Sequence, residues 1–343
     1  MPKVTIDDVA ELAGVSIKTV SRVVNREPNV RESTKEKVQR AIAELKYRPN
    51  PSARNLAAHR SYLIVLVYDD PSAYDVPSFG YVLHLQEGAL RACRKSHFEL
   101  VIHPCNYRNR DVGSELTALI EQARPDGVII AAPLSNMPKI VNAIARTKTP
   151  YIRMATGASN SKEFTVATND REASAEMTTY LAALGHREIA FITGHPSHKA
   201  VANRFRGYRD GLEASGLTLS DQLIVKGDNS IGSGEVAAAE LLGRKRRPTA
   251  IFAANDDMAA GVIRVANRMG IAVPTELSVA GFDDTSLARQ IYPALTTIRQ
   301  PLSAMAECAV DAIISSSRGA IDPGTEIIPA EIRVRESTGP APA

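Results

Sequence analysis

The sequence has no tryptophan, only 5% aromatic residues and only three cysteines among 343 residues. Cys93, Cys105 and Cys308 are far apart and form no C-x-x-C pair, so neither a disulfide framework nor a zinc site is predicted. No apolar run approaches the ~18 residues of a membrane-spanning helix. No basic segment followed by an apolar stretch opens the chain. These absences favour a protein of the cytoplasm.

Motifs of common catalytic sites are also missing. No G-x-G-x-x-G segment opens a helix after a predicted strand, and neither a G-x-x-x-x-G-K-[ST] segment nor a G-x-S-x-G turn occurs. The carboxylate pairs 256–257 and 283–284 lie on strand-to-loop turns, where adjacent side chains point in different directions. The H-P-S-H segment at 195–198 lacks a third ligand at metal-binding spacing. We predict no enzyme activity, no cofactor and no metal.

The positive charge is confined to the start of the chain. Residues 1–60 contain 12 Lys and Arg against 7 Asp and Glu, a net charge of +5, whereas the remaining residues carry a net charge of −2. A local basic excess of this size can neutralise several phosphates, although a solvated surface is the alternative. The length of the chain indicates two or three domains.

Three short helices are predicted in this basic segment. Thr5 and Asp8 have the spacing of a capping box, and Gly14 is a natural helix stop. Ser16 is a good N-cap for a second helix that has one apolar edge. A third helix is predicted to begin at Ser33, with Glu36 completing another capping box.

A helix, a glycine-containing turn and a second helix form the geometry that places the second helix in the major groove of DNA. A module that binds protein is the alternative. We interpret Ser16, Thr19 and Ser21 as phosphate contacts, and Ile17, Lys18 and Arg22 as base-reading residues. The predicted DNA-binding set in residues 1–49 is Thr5, Ser16, Ile17, Lys18, Thr19, Ser21, Arg22 and Asn25.

Residues 3–58 resemble the headpiece of the LacI/GalR family of bacterial repressors. The residues that carry the resemblance are D-V-A at 8–10, A-G-V-S at 13–16, T-V-S-R-V at 19–23 and Y-R-P-N at 47–50. The resemblance implies a hinge helix in P-S-A-R-N-L-A-A (51–58), with Leu56 wedged into the minor groove, which adds Asn50, Ala53, Arg54 and Leu56 to the DNA-binding set. Such a short helix should order only against DNA and a partner hinge.

From Tyr62 onward, short apolar runs alternate with amphipathic stretches, which predicts parallel sheets covered by helices on both faces. Ligands of such sheets bind beyond the carboxyl ends of the strands. The polar residues that end the predicted runs are therefore site candidates: Asp69, Asp70, Ser135, Asn169, Asp170, Asn255, Asp256, Asp283 and Asp284. Tyr74, Phe79, Tyr81 and Phe282 are candidates for stacking on a sugar ring.

The resemblance extends over nearly the whole chain and implies effector-binding roles for Arg204, Asn255 and Asp283. Many sugar-responsive relatives have an Asp at the end of the strand that follows Pro150, where this chain has Ala155, and we expect Arg153 to compensate. The full predicted effector set is Asp69, Phe79, Tyr81, Ser135, Arg153, Arg204, Asn255, Phe282 and Asp283.

The predicted fold is a small all-α helix-turn-helix headpiece (1–49), joined by a hinge helix and linker (50–60) to a two-lobed α/β domain of the periplasmic-binding-protein type (61–343). Lobe 1 is predicted at about 61–163 and 295–325, and lobe 2 at about 164–294 and 326–338. The predicted function is a homodimeric repressor of a near-palindromic operator in double-stranded DNA, modulated by a small-molecule effector, with a sugar as the favoured class. A purine or other effector, a ligand-independent DNA-binding protein and, for the C-terminal part alone, a periplasmic sugar-binding protein are the alternatives.

Overall fold

The computed structural model describes residues 4–24, 30–47, 60–70, 80–156, 163–316 and 321–342. The chain forms two compact units, Met1–Ser61 and Tyr62–Ala343. The predicted hinge helix at 51–58 lies outside the described residues. Within the described ranges, no helix is long and apolar enough to cross a bilayer.

The first unit contains three helices: α1 (Ile6–Ala13), α2 (Ile17–Val24) and α3 (Glu32–Leu45). The Thr5–Asp8 capping box is present at the start of α1, because the Thr5 hydroxyl accepts from the Asp8 amide and the Asp8 carboxylate accepts from the Thr5 amide at 2.7 Å. Gly14 ends α1 with φ of 65°, a left-handed conformation that favours glycine. Apolar residues from all three helices form one small core: Val9, Ala10, Val20, Val38 and Ala41.

The predicted start of α3 was wrong by one residue. The helix begins at Glu32, and its N-cap, Arg31, makes no side-chain capping bond, so the capping box between Ser33 and Glu36 does not form. Glu32 instead pairs with Lys35 at 2.9 Å, one turn further along. A carboxylate in the first turn of a helix is favoured by the helix dipole, which accounts for the earlier start.

We expect Thr5→Ala to destabilise α1 by about 1 kcal/mol, because the amides at the start of the helix lose their capping oxygen. Hydrogen exchange of the α1 amides in the full-length chain measures this effect, and exchange should become faster. Glu11→Ala is the control, since Glu11 is exposed on the same helix outside the cap. Equal exchange in Thr5→Ala and Glu11→Ala would contradict the prediction.

The second unit contains two six-stranded sheets. Sheet 1 has the order β11-β5-β4-β3-β1-β2, and sheet 2 has the order β12-β10-β9-β8-β6-β7. The strands of sheet 1 are β1 (Leu63–Asp69), β2 (Glu99–Cys105), β3 (Gly127–Ile130), β4 (Tyr151–Met154), β5 (Phe164–Ala167) and β11 (Gly324–Ile327). The strands of sheet 2 are β6 (Ile189–Thr193), β7 (Ile224–Lys226), β8 (Ala250–Ala253), β9 (Ser278–Asp283), β10 (Thr296–Arg299) and β12 (Glu331–Arg333). All pairs are parallel except β10 with β12.

Helices of the second unit pack against these sheets. They are α4 (Gly80–Lys95), α5 (Val112–Ala123), α6 (Pro138–Arg146), α7 (Asp170–Ala183), α8 (Lys199–Ala214), α9 (Ile231–Leu242), α10 (Asp256–Arg268), α11 (Ser286–Gln290) and α12 (Leu302–Ser315). Short 3₁₀ turns occur at Leu134–Asn136 and Asp221–Leu223. Parallel strands buried on both faces explain the continuous apolar runs in the sequence, such as G-V-I-I in β3.

Strand pairing moves the predicted lobe boundaries by a few residues. We predicted changes of lobe at 163/164, 294/295 and 325/326, whereas β5 belongs to sheet 1 and β10 to sheet 2. The last change of lobe lies between the end of β11 at Ile327 and the start of β12 at Glu331. Short segments such as T-T-I-R in β10 have no apolar run that separates them from a crossover loop, so pattern alone places these boundaries poorly.

Candidate DNA-binding helix and effector site

Helix α2 is anchored by its apolar edge and capped at its start. Val20 is fully buried in the core of the first unit. The Ser16 hydroxyl accepts from the Thr19 amide at 3.2 Å and lies 2.9 Å from the Thr19 hydroxyl, so Ser16 is the predicted N-cap. These contacts fix the first turn of α2, where a recognition helix meets DNA.

The opposite side of α2 is exposed. Ile17 is 48% exposed although it is a large aliphatic residue, and Lys18 and Arg22 are also exposed. Lys18 and Arg22 are four residues apart and therefore lie on one face of the helix. This face combines two cations with an aliphatic side chain, as readout of guanine edges and thymine methyl groups requires.

Several predicted residues lie outside the described ranges. For DNA binding they are Asn25, Asn50, Ala53, Arg54 and Leu56, and for effector binding Phe79. Tyr74, the weaker stacking candidate, is also outside these ranges.

The second unit contains a buried group of polar residues, which we call the Arg204 cluster: Asp170, Arg204, Asp283 and Gln300, with Phe282 and Tyr81 against them. Arg204 lies on α8, and its Nε donates to Asp170 Oδ1 at 2.9 Å. Its Nη1 donates to the carbonyl oxygen of Ala254 at 2.5 Å and lies 3.4 Å from Asp283 Oδ1. Among the described residues, its Nη2 has no hydrogen-bond partner.

Two aromatic residues flank Arg204 in different ways. The guanidinium carbon of Arg204 lies 3.7 Å from the centre of the Phe282 ring, and Phe282 is fully buried. Phe282 was predicted to stack on an effector, but Arg204 occupies one face of its ring and the lobe core surrounds the residue. Tyr81 belongs to the other lobe, and within the described chain its buried hydroxyl has no hydrogen-bond partner.

The backbone at Asp283 is in an unusual conformation. Asp283 and Asp284 have φ of 116° and 54°, in the region that favours glycine, and such strain is concentrated at functional sites. The two carboxylates point in different directions, as predicted. Asp283 accepts from Gln300 Nε2 at 2.5 Å, whereas Asp284 accepts from Arg299 and Arg335 at 2.7 and 2.5 Å.

Asn255 has a structural role in this arrangement. It is the N-cap of α10, where its Oδ1 accepts from the Met258 amide at 3.0 Å and its Nδ2 donates to the Asn229 carbonyl at 2.9 Å. A contact from Asn255 to an effector would therefore use the remaining capacity of an amide that already has two partners.

Ser135 and Arg153 form a separate group in sheet 1. Ser135 donates through its hydroxyl to the carbonyl oxygen of Met154 at 2.7 Å, and its own carbonyl accepts from Arg153 Nε at 2.7 Å. The guanidinium of Arg153 also pairs with Glu163. The expected compensation for the missing Asp is therefore not evident, since the charge of Arg153 is neutralised locally. Asp69 lies at the carboxyl end of β1, as predicted.

Three buried polar residues outside the predicted effector set are further candidates for the site. Asp170 follows β5 and belonged to the strand-end candidates, and its bond with Arg204 marks it as a member of the site. Gln300 follows β10, a strand that the pattern did not predict. Asn136 is 7% exposed, and neither atom of its amide has a partner in the described part of the chain. Buried polar atoms without partners are rare in folded proteins, so they are candidates for ligand contact.

Burial strongly affects the ionisable groups of the Arg204 cluster. Removal from water raises the pKa of Asp283 to about 7, despite the opposing effects of Arg204 and Gln300. Burial also raises the pKa of Asp170 and of the Tyr81 hydroxyl. Burial, reinforced by Arg204, lowers the pKa of His198 to about 3, so this histidine is neutral at pH 7.

Asp283 should make unfolding depend on pH. Its ordinary pKa is 3.8 and its pKa in the folded chain is about 7, so between these values the folded state binds more protons than the unfolded state. The stabilisation is present at low pH and is lost as the pH rises through this range. Urea unfolding of wild type and Asp283→Asn should show a wild-type stability that falls relative to the variant up to about pH 7. A constant difference would contradict the prediction.

A surface cavity of about 500 Å³ lies elsewhere, between α5 and α6. Its lining contains none of the predicted effector residues and consists of Arg110, Gly113, Ser114, Thr117, Ala118, Glu121, Lys139 and Arg146.

His195 and His198 do not belong to any metal-binding group, because no three His, Cys, Asp or Glu residues in the described ranges are suitably arranged.

Comparison with known proteins identifies the two units. Residues 5–50 match the model of bacterial regulatory proteins of the lacI family, and residues 178–338 match that of a periplasmic binding protein-like domain. The chain is 33% identical to the HTH-type transcriptional regulator DegA of Bacillus subtilis (strain 168) over 341 residues, which cover 98% of this chain and 99% of DegA. The chain belongs to the lacI family. This lacI-family protein is a DNA-binding transcriptional regulator, and the predicted fold class and function class are confirmed.

Solved structures of similar proteins have the same fold. The lac repressor dimer bound to operator and the anti-inducer ONPF superposes with a TM-score of 0.77 at 28% identity and covers 98% of this lacI-family chain and 100% of its own. A complex of the transcriptional regulator CelR with cellobiose has a TM-score of 0.74 at 28% identity, with the same coverage. Both are regulators, and one contains a disaccharide.

Proposed function

We propose that this lacI-family protein is a homodimeric repressor of a near-palindromic operator, and that a neutral sugar bound at the Arg204 cluster changes its affinity for DNA. The observation that carries the effector assignment is the set of buried polar atoms without partners in the described chain. Two of these atoms, the Tyr81 hydroxyl and Oε1 of Gln300, belong to the Arg204 cluster, where Nη2 of Arg204 also has no hydrogen-bond partner among the described residues. Donors and acceptors at one site suit the vicinal hydroxyls of a sugar.

The site is suited to coupling because its parts come from both lobes. Tyr81 is on α4, which packs with α12 in lobe 1, whereas Arg204 and Asp283 belong to lobe 2. Burial raises the pKa of the Tyr81 hydroxyl, and the charges of Asp283, Arg204 and Asp170 in lobe 2 also act on it. An effector that bridges these groups would bind one lobe arrangement better than another and so shift the population towards it.

The exposed side of α4 supports dimerisation. Leu83 and Leu90 are 57% and 37% exposed and are seven residues apart, on one face of the helix. Helix α10 offers no comparable surface, because most of its side chains are buried within lobe 2. A two-fold dimer would present two copies of α2 to two half-sites, so its operator would be near-palindromic.

Operator binding measured by fluorescence anisotropy tests this proposal. DNA selected from random sequence is titrated at fixed salt with the full-length protein, alone and with mono- and disaccharides or purines. A sugar that shifts the curve supports the proposal, and by linkage DNA must change the affinity for that sugar by the same factor. A shift by purines alone would reassign the effector. No shift by any compound would favour a ligand-independent regulator, and loss of dimers at working concentration would contradict the operator geometry.

The proposed activity needs access to DNA and no chemical step. We therefore retain the cytoplasm as the expected compartment, and we retain the expectation that the protein is not an enzyme. The relatives reported above are named as regulators, which supports both expectations.

A further inference from the structure

The Arg204 cluster contains more acidic groups than basic ones. Arg204 is its single cation, and Asp170 and Asp283 lie 2.9 and 3.4 Å from its guanidinium nitrogens. Asp256 and Asp257, in the first turn of α10, are also buried. The charge of Asp257 raises the pKa of both Asp256 and Asp283.

Among the described residues of the candidate site, Arg204 is the cation that pairs with Asp170 and Asp283. His198 is neutral at pH 7 because burial and Arg204 hold its pKa near 3. Arg153, the second cation predicted for the effector, is paired with Glu163. An incoming phosphate or carboxylate would therefore meet a guanidinium that is already paired with Asp170, in a site where burial disfavours negative charge and raises the pKa of Asp283 and Asp170.

Asp170 is the carboxylate that forms the shorter ion pair with Arg204. It occupies the first turn of α7, is 4% exposed and accepts from Nε of Arg204. Together with the Ala254 carbonyl, it leaves Nη2 as the guanidinium nitrogen available for a ligand. The single nitrogen Nη2 can donate a hydrogen bond to a hydroxyl. Recognition of a phosphate by arginine typically uses two guanidinium nitrogens, which donate two parallel hydrogen bonds.

We propose that the effector site selects against negatively charged ligands, so that it accepts neutral or amine-bearing sugars and rejects their phosphate esters, and that Asp170 is the residue that sets this preference. This inference rests on the proposed function. A sugar site can also accept a phosphate ester where an arginine offers it two free nitrogens, because arginine binds phosphate as a bidentate fork.

The test compares matched ligands on the same operator. Anisotropy titrations use glucose, galactose, ribose, cellobiose and trehalose, each beside its phosphate ester, with glucosamine and galactosamine as positively charged forms, at equal ionic strength. For wild type, we expect the phosphate ester of an active sugar to act about 100-fold more weakly than the sugar itself, since one additional like charge in a buried site costs this much or more.

Asp170→Asn keeps the size of the side chain and removes its charge. We expect this variant to bind the phosphate ester about 10-fold more tightly than wild type does, because Arg204 gains an uncommitted charge. Asp210→Asn is the matched control: Asp210 also pairs with an arginine, Arg171, at 2.5 Å, but on an exposed surface. The control should leave the ligand preference unchanged.

The outcomes separate this inference from the proposed function. A phosphate ester that acts on wild type as strongly as its sugar would overturn the charge selection and leave the effector-regulated repressor intact. An unchanged preference in Asp170→Asn would remove Asp170 as its determinant. No response to any neutral, amine-bearing or phosphorylated sugar would overturn both proposals. The wild-type comparison stands even where the variant folds poorly.

Discussion

Arg204→Ala is expected to lower the free energy of unfolding of the second unit by about 3–5 kcal/mol, the cost of leaving a buried partner charge uncompensated. The variant strands Asp170 and Asp283, which are 4% and 7% exposed, without their cation. It also removes the guanidinium from the face of Phe282. The same change should abolish the effector response, whereas operator binding should persist under conditions in which the variant is folded.

Two further variants separate these effects. Arg171→Ala breaks the exposed pair with Asp210 and should cost at most about 1 kcal/mol, because water screens that pair. The double variant Arg204→Met, Asp170→Asn removes two members of the buried network and should be more stable than Arg204→Ala, since fewer charges remain unpaired. Urea unfolding and operator titration give the two readouts. A loss below about 1 kcal/mol with the effector response kept would show that Arg204 has neither role.

The sequence was most informative where a local rule determines structure. The capping box at Thr5, the stop at Gly14 and the cap at Ser16 depend on residues three or fewer positions apart, and each forms as predicted. The same holds for the long apolar runs that become β1 and β6, because a strand buried on both faces has few polar residues. Local chemistry therefore predicted the helix-turn-helix and the class of the second unit.

The sequence was less informative where partners are distant in the chain. Asp170 and Arg204 are 34 residues apart, and Asp283 and Gln300 are 17 apart, so no spacing rule brings them together. The rule that ligands bind at strand ends selected a region of the sheets but could not state which polar residues bond one another. Phe282 and Arg153 illustrate the limit, because both have side chains suited to a ligand but both already have partners. Arg204 covers one face of the Phe282 ring, and Glu163 pairs with Arg153.

The capping residues reveal a related limit. Asn255 and Asp256 follow β8, where both a ligand contact and a helix cap are chemically sensible. In the structure, Asn255 caps α10, and Asp256 accepts from the Thr285 amide and the Thr297 hydroxyl at 2.8 and 2.5 Å. A strand end that is also a helix start thus uses its polar side chains in structural hydrogen bonds, which leaves fewer donors and acceptors for a ligand.

Arg22→Ala is expected to weaken binding to the selected operator by about 1–3 kcal/mol, about 5- to 150-fold, and to weaken binding to unrelated DNA far less. Arg22 is exposed on the same face of α2 as Lys18, and the helix is held by Val20 and the Ser16 cap, so the change should not disturb the fold. A guanidinium that reads O6 and N7 of guanine contributes to one sequence only.

Arg40→Ala is the matched control for Arg22→Ala, because it removes the same charge from the exposed side of α3. Titrations of both variants on operator and unrelated DNA, at several salt concentrations, separate base readout from phosphate contact. A phosphate contact would weaken both DNAs equally and reduce the salt slope by about one ion. A base contact would act on the operator alone and leave that slope nearly unchanged, so the slope decides the role of Arg22 even where the loss of affinity is modest.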